Sequence, residues 1–179
     1  MRLNYTDDEE YPGQFALWRG NCSRSLRGKA GQAALVRLEA ALLAMPEKRL
    51  IRGRLVDGSG QVCALGALAK SEGVLPALDP DDFDYAYYDA DDDYDDGNDP
   101  AEFGESVLKF PRLVAWRVVE QNDIQFDTVP ELGYGPLNRH QAVYRGEDGN
   151  GRGLLLIRPM TPEERYEKML AWVQSQIKR

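Results

Sequence analysis

Between Asp79 and Leu108 the chain carries thirteen acidic residues and no lysine or arginine. Eleven of them are aspartates between Asp79 and Asp99, interleaved with Phe83, Tyr85, Tyr87, Tyr88 and Tyr94. So many like charges repel, and the segment has too little apolar surface to offset the entropy of ordering its own core. Asp79-Pro80 and Asp99-Pro100 bracket it as turn-forming pairs. Any core must therefore be built from the two flanks. The block also distorts the net charge. The 179 residues sum to −8, but outside residues 79–108 they sum to +5. The basic excess is concentrated between Arg19 and Arg54, where nine lysines and arginines face Glu39 and Glu47. Such a dipolar layout bears on partners more than the net value does.

A chain of this length fits one domain and needs no disulfide or metal to fold. Two cysteines cannot make a disulfide framework. No apolar run reaches the ~18 residues of a membrane span, and the first ten residues lack the apolar stretch of a secretory signal. These readings place the protein in the cytoplasm and away from membranes.

Residues 1–13 are polar and acidic and end in Pro12-Gly13, so they read as a flexible arm. Residues 14–179 read as a single domain. Residues 14–30 suggest a short ordered piece packing Trp18, then a loop. From Gln32 to Met45 the spacing of Leu35, Leu38, Leu42 and Met45 predicts a helix stopped by Pro46. Leu50 to Val56 alternates apolar and basic residues into Asp57-Gly58-Ser59-Gly60, as a strand entering a turn does. Val62 to Ala69 reads as a short strand running into a helix with small residues for close packing. Pro111 opens a helix to Gln121, closed by Asn122-Asp123. Residues 125–160 look irregular, with a hairpin expected around Glu147–Gly151. Thr161-Pro162-Glu163-Glu164 is a capping box that starts a last helix with Tyr166, Met169, Leu170, Val173 and Ile177 on one stripe. The expected fold class is α+β: a single domain of three to four helices around a small antiparallel sheet, carrying an acidic loop at 79–100.

Few residues offer chemistry. His140, the one histidine, lies in the irregular segment and has no partners at metal-ligand spacing. Cys63 sits in an apolar run and reads as a small core residue. Cys22 is flanked by Arg19 and Arg24, whose charges would lower its pKa. Its spacing to Arg27 is one residue short of a phosphatase loop. Gly28-Lys29-Ala30-Gly31 opens a helix but lacks the order of a phosphate loop. Asp91, Asp93, Asp95, Asp99 and Glu102 imitate a calcium loop, with Asp96 where its sharp-turn glycine belongs. No cofactor is expected.

Several segments together resemble a family of uncharacterised proteins encoded by bacteriophages and prophages. They are Gly28-Lys29-Ala30-Gly31-Gln32, Leu43–Ile51, Val62–Ala67, Val119-Glu120-Gln121-Asn122-Asp123 and Thr161–Tyr166. The similarity covers roughly 14–72, 111–124 and 161–177 and brings no catalytic residues with it. The acidic tract and residues 125–160 depart from the family pattern, the latter as an insertion. The resemblance implies a phage accessory protein working by protein binding rather than catalysis in the bacterial host cytoplasm. Its most concrete form is an inhibitor of a host antiviral system, of the anti-CRISPR kind. Carboxylates would stand in for phosphates and tyrosines for stacked bases. The expected partner is a host protein with a basic surface, such as a nucleic-acid-binding defence effector, and direct nucleic-acid binding is not expected. The residues expected to meet it are Asp81, Asp82, Asp84, Asp91, Asp92 and Asp93, with Tyr85, Tyr87 and Tyr88. The alternative is a small enzyme or ligand-binding domain whose site lies near Arg49, Cys63, Asn122 and Asp123.

Overall fold

A computed structural model describes residues 12–75, 100–123, 128–132, 142–144 and 155–179. Six helices occupy most of them: α1 (Pro12–Arg27), α2 (Lys29–Ala44), α3 (Ala64–Ser71), α4 (Pro100–Ser106), α5 (Arg112–Asp123) and α6 (Pro162–Gln176). Helix α2 is the centre. Its Ala- and Leu-rich sequence favours helix at nearly every position, and it buries Gly31, Ala34, Leu35, Leu38, Ala41 and Leu42 on one face. Against that face pack α1, α3 and α6, while α5 closes the far side against α1, α3 and α4. Met45, held extended by the proline after it, ends α2. Lys48 Nζ then donates to the Leu43 carbonyl at 2.7 Å, covering the negative end of the helix.

The body is thus helical, and helices around an antiparallel sheet is the wrong architecture for it. The buried core cluster comes from the helices and from loop positions such as Leu50, Leu55 and Val62. Three short strands, β1 (Thr128–Leu132), β2 (Ala142–Tyr144) and β3 (Leu155–Pro159), pair antiparallel in the order β1-β3-β2. Among the described residues the extensive contacts join helix to helix or strand to strand.

The strand expected over Leu50 to Val56 does not form. Gly53 adopts a left-handed φ of 70°, which interrupts extension. The alternation instead records a looped segment that buries Leu50 and Leu55 on either side of exposed Arg52 and Arg54. Its backbone is satisfied piecemeal. Leu50 N–H donates to the Pro162 carbonyl at 3.0 Å, Ile51 N–H to Val62 at 3.0 Å, and Cys63 N–H to Leu55 at 3.1 Å. The Val56–Val62 bridge closes the Asp57 turn. In that turn the Asp57 carboxylate accepts from Ser59 and Gln61 N–H, both at 2.9 Å. Partial desolvation alone would raise the Asp57 pKa, but these donors outweigh it and hold it below the usual carboxylate value.

Residues 14–30 also depart from expectation. The chain from Pro12 to Arg27 is a 16-residue helix despite Gly20, Asn21 and Ser23. Its helicity comes from packing: Cys22 and Leu26, one turn apart, are buried, and the Trp18 ring meets Trp116 edge-on at 4.7 Å. Helix α4, seven residues long, is too short for its apolar spacing to be read as periodic. Helix α6 begins as its sequence predicts, with both capping-box hydrogen bonds made and proline in the first turn.

Close backbone approach sets the helix spacing. A Cβ on Gly66 would fall far inside 3.0 Å of the Leu55 carbonyl oxygen, and one on Gly31 equally close to the Ser25 carbonyl. Gly66→Ala is expected to destabilise the protein by about 2 kcal/mol, as overpacking does. Gly20→Ala, with nothing within 4 Å of the new methyl, should stabilise α1 by roughly 0.5–1 kcal/mol. Urea unfolding of the two variants tests both signs.

Candidate functional site

The residues expected to meet a partner, Asp81, Asp82, Asp84, Tyr85, Tyr87, Tyr88, Asp91, Asp92 and Asp93, lie outside the described residues, as does His140. The two ends of that segment are described. Leu75 is half-buried and packs on the core after α3. On the other side α4 starts at Pro100 and buries Ala101 and Phe103. Gly104 of α4 sits directly against Ala115, so α4 is held closely on α5. The described residues on either side of the acidic segment, Leu75 and α4, thus both pack on the helical body.

The alternative site is partly assembled, but as packing. Asn122 and Cys63 are both about 1% exposed. The Asn122 amide donates to the Ile51 carbonyl at 2.9 Å and to the Asp123 carboxylate. Its oxygen accepts from Ala64 N–H at 3.4 Å, the first residue of α3. The Asn122 carbonyl accepts from the guanidinium of Arg165, which is itself buried on α6. Cys63 caps α3, its Sγ accepting from Gly66 N–H at 3.4 Å. Arg49 is not part of this node. It is exposed and pairs with Glu163 at 2.9 Å. One buried residue thus joins the end of α5 to the start of α3 and the 50s loop through its side chain, and to α6 through its backbone carbonyl.

The Gly28–Gly31 helix entry is likewise structural. Gly28 N–H donates to the Arg24 and Ser25 carbonyls at 2.9 and 3.2 Å, and Gly31 abuts Ser25. The end of α1 therefore covers the start of α2. Much of the basic stretch serves the fold too. Arg37 pairs with Glu72 at 2.6 Å and donates to the Leu108 carbonyl at 2.9 Å. Lys48 caps α2 and lies 5.4 Å from the Tyr166 ring centroid.

A recess of about 220 Å³ is lined by Trp18, Arg19, Cys22, Ser23 and Leu26 of α1, Arg117 of α5 and Gln176 of α6. Arg117 was not legible as a lining residue. The only hint is that Trp18 and Trp116 each precede an arginine in sequence. Cys22 itself corrects an expectation. Burial pushes its thiol up, and the attraction of Arg117, which acts downward, does not offset this. The neutral thiol is the resting form, which suits a packed side chain rather than a nucleophile.

Two outcomes follow. Asn122→Ala leaves the Ile51 carbonyl and Ala64 N–H unpaired and should cost about 2–3 kcal/mol in urea unfolding. Cys22 binds its proton more tightly folded than unfolded. Its contribution to stability is complete below the ordinary thiol value of 9.0 and is lost as pH rises through the higher folded value. The stability difference between the wild type and Cys22→Ala should therefore be constant up to about pH 8 and shift against the wild type above 9.0.

No family model, no curated protein and no solved structure matches this chain. Nothing in these comparisons bears on the resemblance to bacteriophage and prophage proteins.

Proposed function

We propose that this protein is a phage-type accessory factor that binds a basic nucleic-acid-binding protein of the bacterial host through residues 79–99 and so inhibits an antiviral system. The observation that carries this reading is the composition of the tract: eleven aspartates and four tyrosines with no lysine or arginine, in a chain that is otherwise net basic. Spaced carboxylates present the charge pattern that a phosphate-binding groove accepts, and aromatic rings present the faces on which bases stack. Attachment at Leu75 and at α4 supports the reading, because tethering both ends of a segment reduces the entropy it loses on docking. Asn122, Cys63 and Gly31 serve packing and backbone contacts within the body, which favours the binding reading over a site built on them.

No helix among the described residues is long and apolar enough to cross a membrane. The proposed setting is the host cytoplasm, where a defence effector would be met. Charge complementarity would speed encounter and make binding strongly salt-dependent.

The test neutralises Asp81, Asp82, Asp84, Asp91, Asp92 and Asp93 to asparagine together. With the tagged protein as bait in host extract, the wild type should retain a basic protein that duplex or single-stranded DNA displaces. The sixfold variant should bind that protein at least about a hundredfold more weakly, roughly 3 kcal/mol, with an unchanged unfolding midpoint. Retention that survives neutralisation at low and moderate salt, or that DNA does not displace, defeats the proposal.

A further inference from the structure

Helix α2 buries one face in the core, and its opposite face is apolar as well. Ala33, Val36, Ala40 and Leu43 are all exposed. Val36 and Leu43 remain 51% and 52% accessible. Their spacing of three, four and three residues forms one straight seam, the a/d pattern by which two helices pack together. An exposed helix face normally carries lysines and glutamates at such positions. Here the charges sit beside the seam and are engaged within the protein. Arg37 is bound by Glu72 at 2.6 Å, and Glu39 by Arg179 at 3.0 Å.

The seam is complementary to itself. A two-fold axis crossing it midway between Val36 and Ala40 runs the two helices antiparallel. Val36 then faces Ala40 of the partner subunit, and Leu43 faces Ala33 of the partner subunit. Each large side chain meets a methyl, which lets the helices approach closely. The same axis brings Lys29, the first residue of α2, beside Glu47 of the partner subunit, just beyond the far end of that helix. Both residues are exposed. Within one chain they stand at opposite ends of a 16-residue helix, about 24 Å apart, so they pair only between chains. We propose that the exposed face of α2 is a symmetric docking surface for a second copy of this chain. The proposal is independent of the acidic tract. Such an isologous contact repeats every interaction twice.

The seam spans three turns and buries less than the ~1,200 Å² of a standard interface. The dimer should accordingly dissociate on dilution. Sedimentation equilibrium of the full chain between about 1 µM and about 1 mM, the range of weak association, should show monomer passing to dimer and no larger species. Val36→Glu with Leu43→Glu should leave only monomer with unchanged helical circular dichroism. Lys29→Glu alone and Glu47→Lys alone should each weaken the dimer several-fold, and the two together should restore it. These end-charge variants touch no core residue, so they decide the matter even if the seam variant folds poorly. A wild type that stays monomeric throughout overturns the proposal. Association that ignores Val36→Glu with Leu43→Glu, or a double charge reversal that fails to restore it, does the same.

Discussion

The buried Asn122 amide is the interaction on which the arrangement of the body depends. It sits at the end of α5 and holds the 50s loop through Ile51 and the start of α3 through Ala64, while its carbonyl holds Arg165 of α6. Four segments converge, through its side chain and its backbone carbonyl, on one residue that water does not reach. In such surroundings a hydrogen bond costs far more to leave unmade than it contributes on average. The node therefore acts as a register: any shift of α3, α5 or α6 strands a buried polar group. Gly66 and Gly31 supply the companion constraint, because they let helix backbones approach neighbouring carbonyls where any side chain would collide.

This geometry changes the meaning of the segments around Gly28, Cys63 and Asn122. Glycines before a helix, a cysteine in a small-residue run and an Asn-Asp pair read equally well as chemistry. In the structure Gly28 and Gly31 turn a tight corner between α1 and α2. Cys63 caps α3, and Asn122 bridges. Burial and mutual hydrogen bonding consume these groups, which leaves little reactive surface. Among the described residues, what stands out instead is the exposed apolar outer face of α2, with Val36 and Leu43 half accessible.

Legibility in the sequence followed the range of the interactions involved. Helix α2 and helix α6 were readable because their signals are local: apolar spacing, a capping box, and a proline after Met45. The 50s loop was misread because Ile51, Gly53 and Leu55 alternate with Arg52 and Arg54 just as a strand would, and only Gly53 turning left-handed separates the two cases. Helix α1 was missed as a long helix because Gly20, Asn21 and Ser23 disfavour it locally. Contacts of Trp18 with Trp116, and the burial of Cys22 and Leu26, override that preference. The cleft beside Cys22 was unreadable for the same reason, since Arg117 is distant in sequence and reverses nothing once burial has raised the thiol.

By itself, then, the sequence determined where charge is concentrated, where the last helix starts, and that the core had to come from the flanks of the acidic tract. Those properties depend on neighbours along the chain, on composition and on short-range hydrogen bonds. Only the tertiary structure decided that the body is helical rather than wrapped around a sheet. It alone showed that Asn122 and Cys63 are packing elements and that α2 presents a second apolar face. Each of these depends on which residues meet across tens of positions, and burial, not residue type, sets what a side chain can do there.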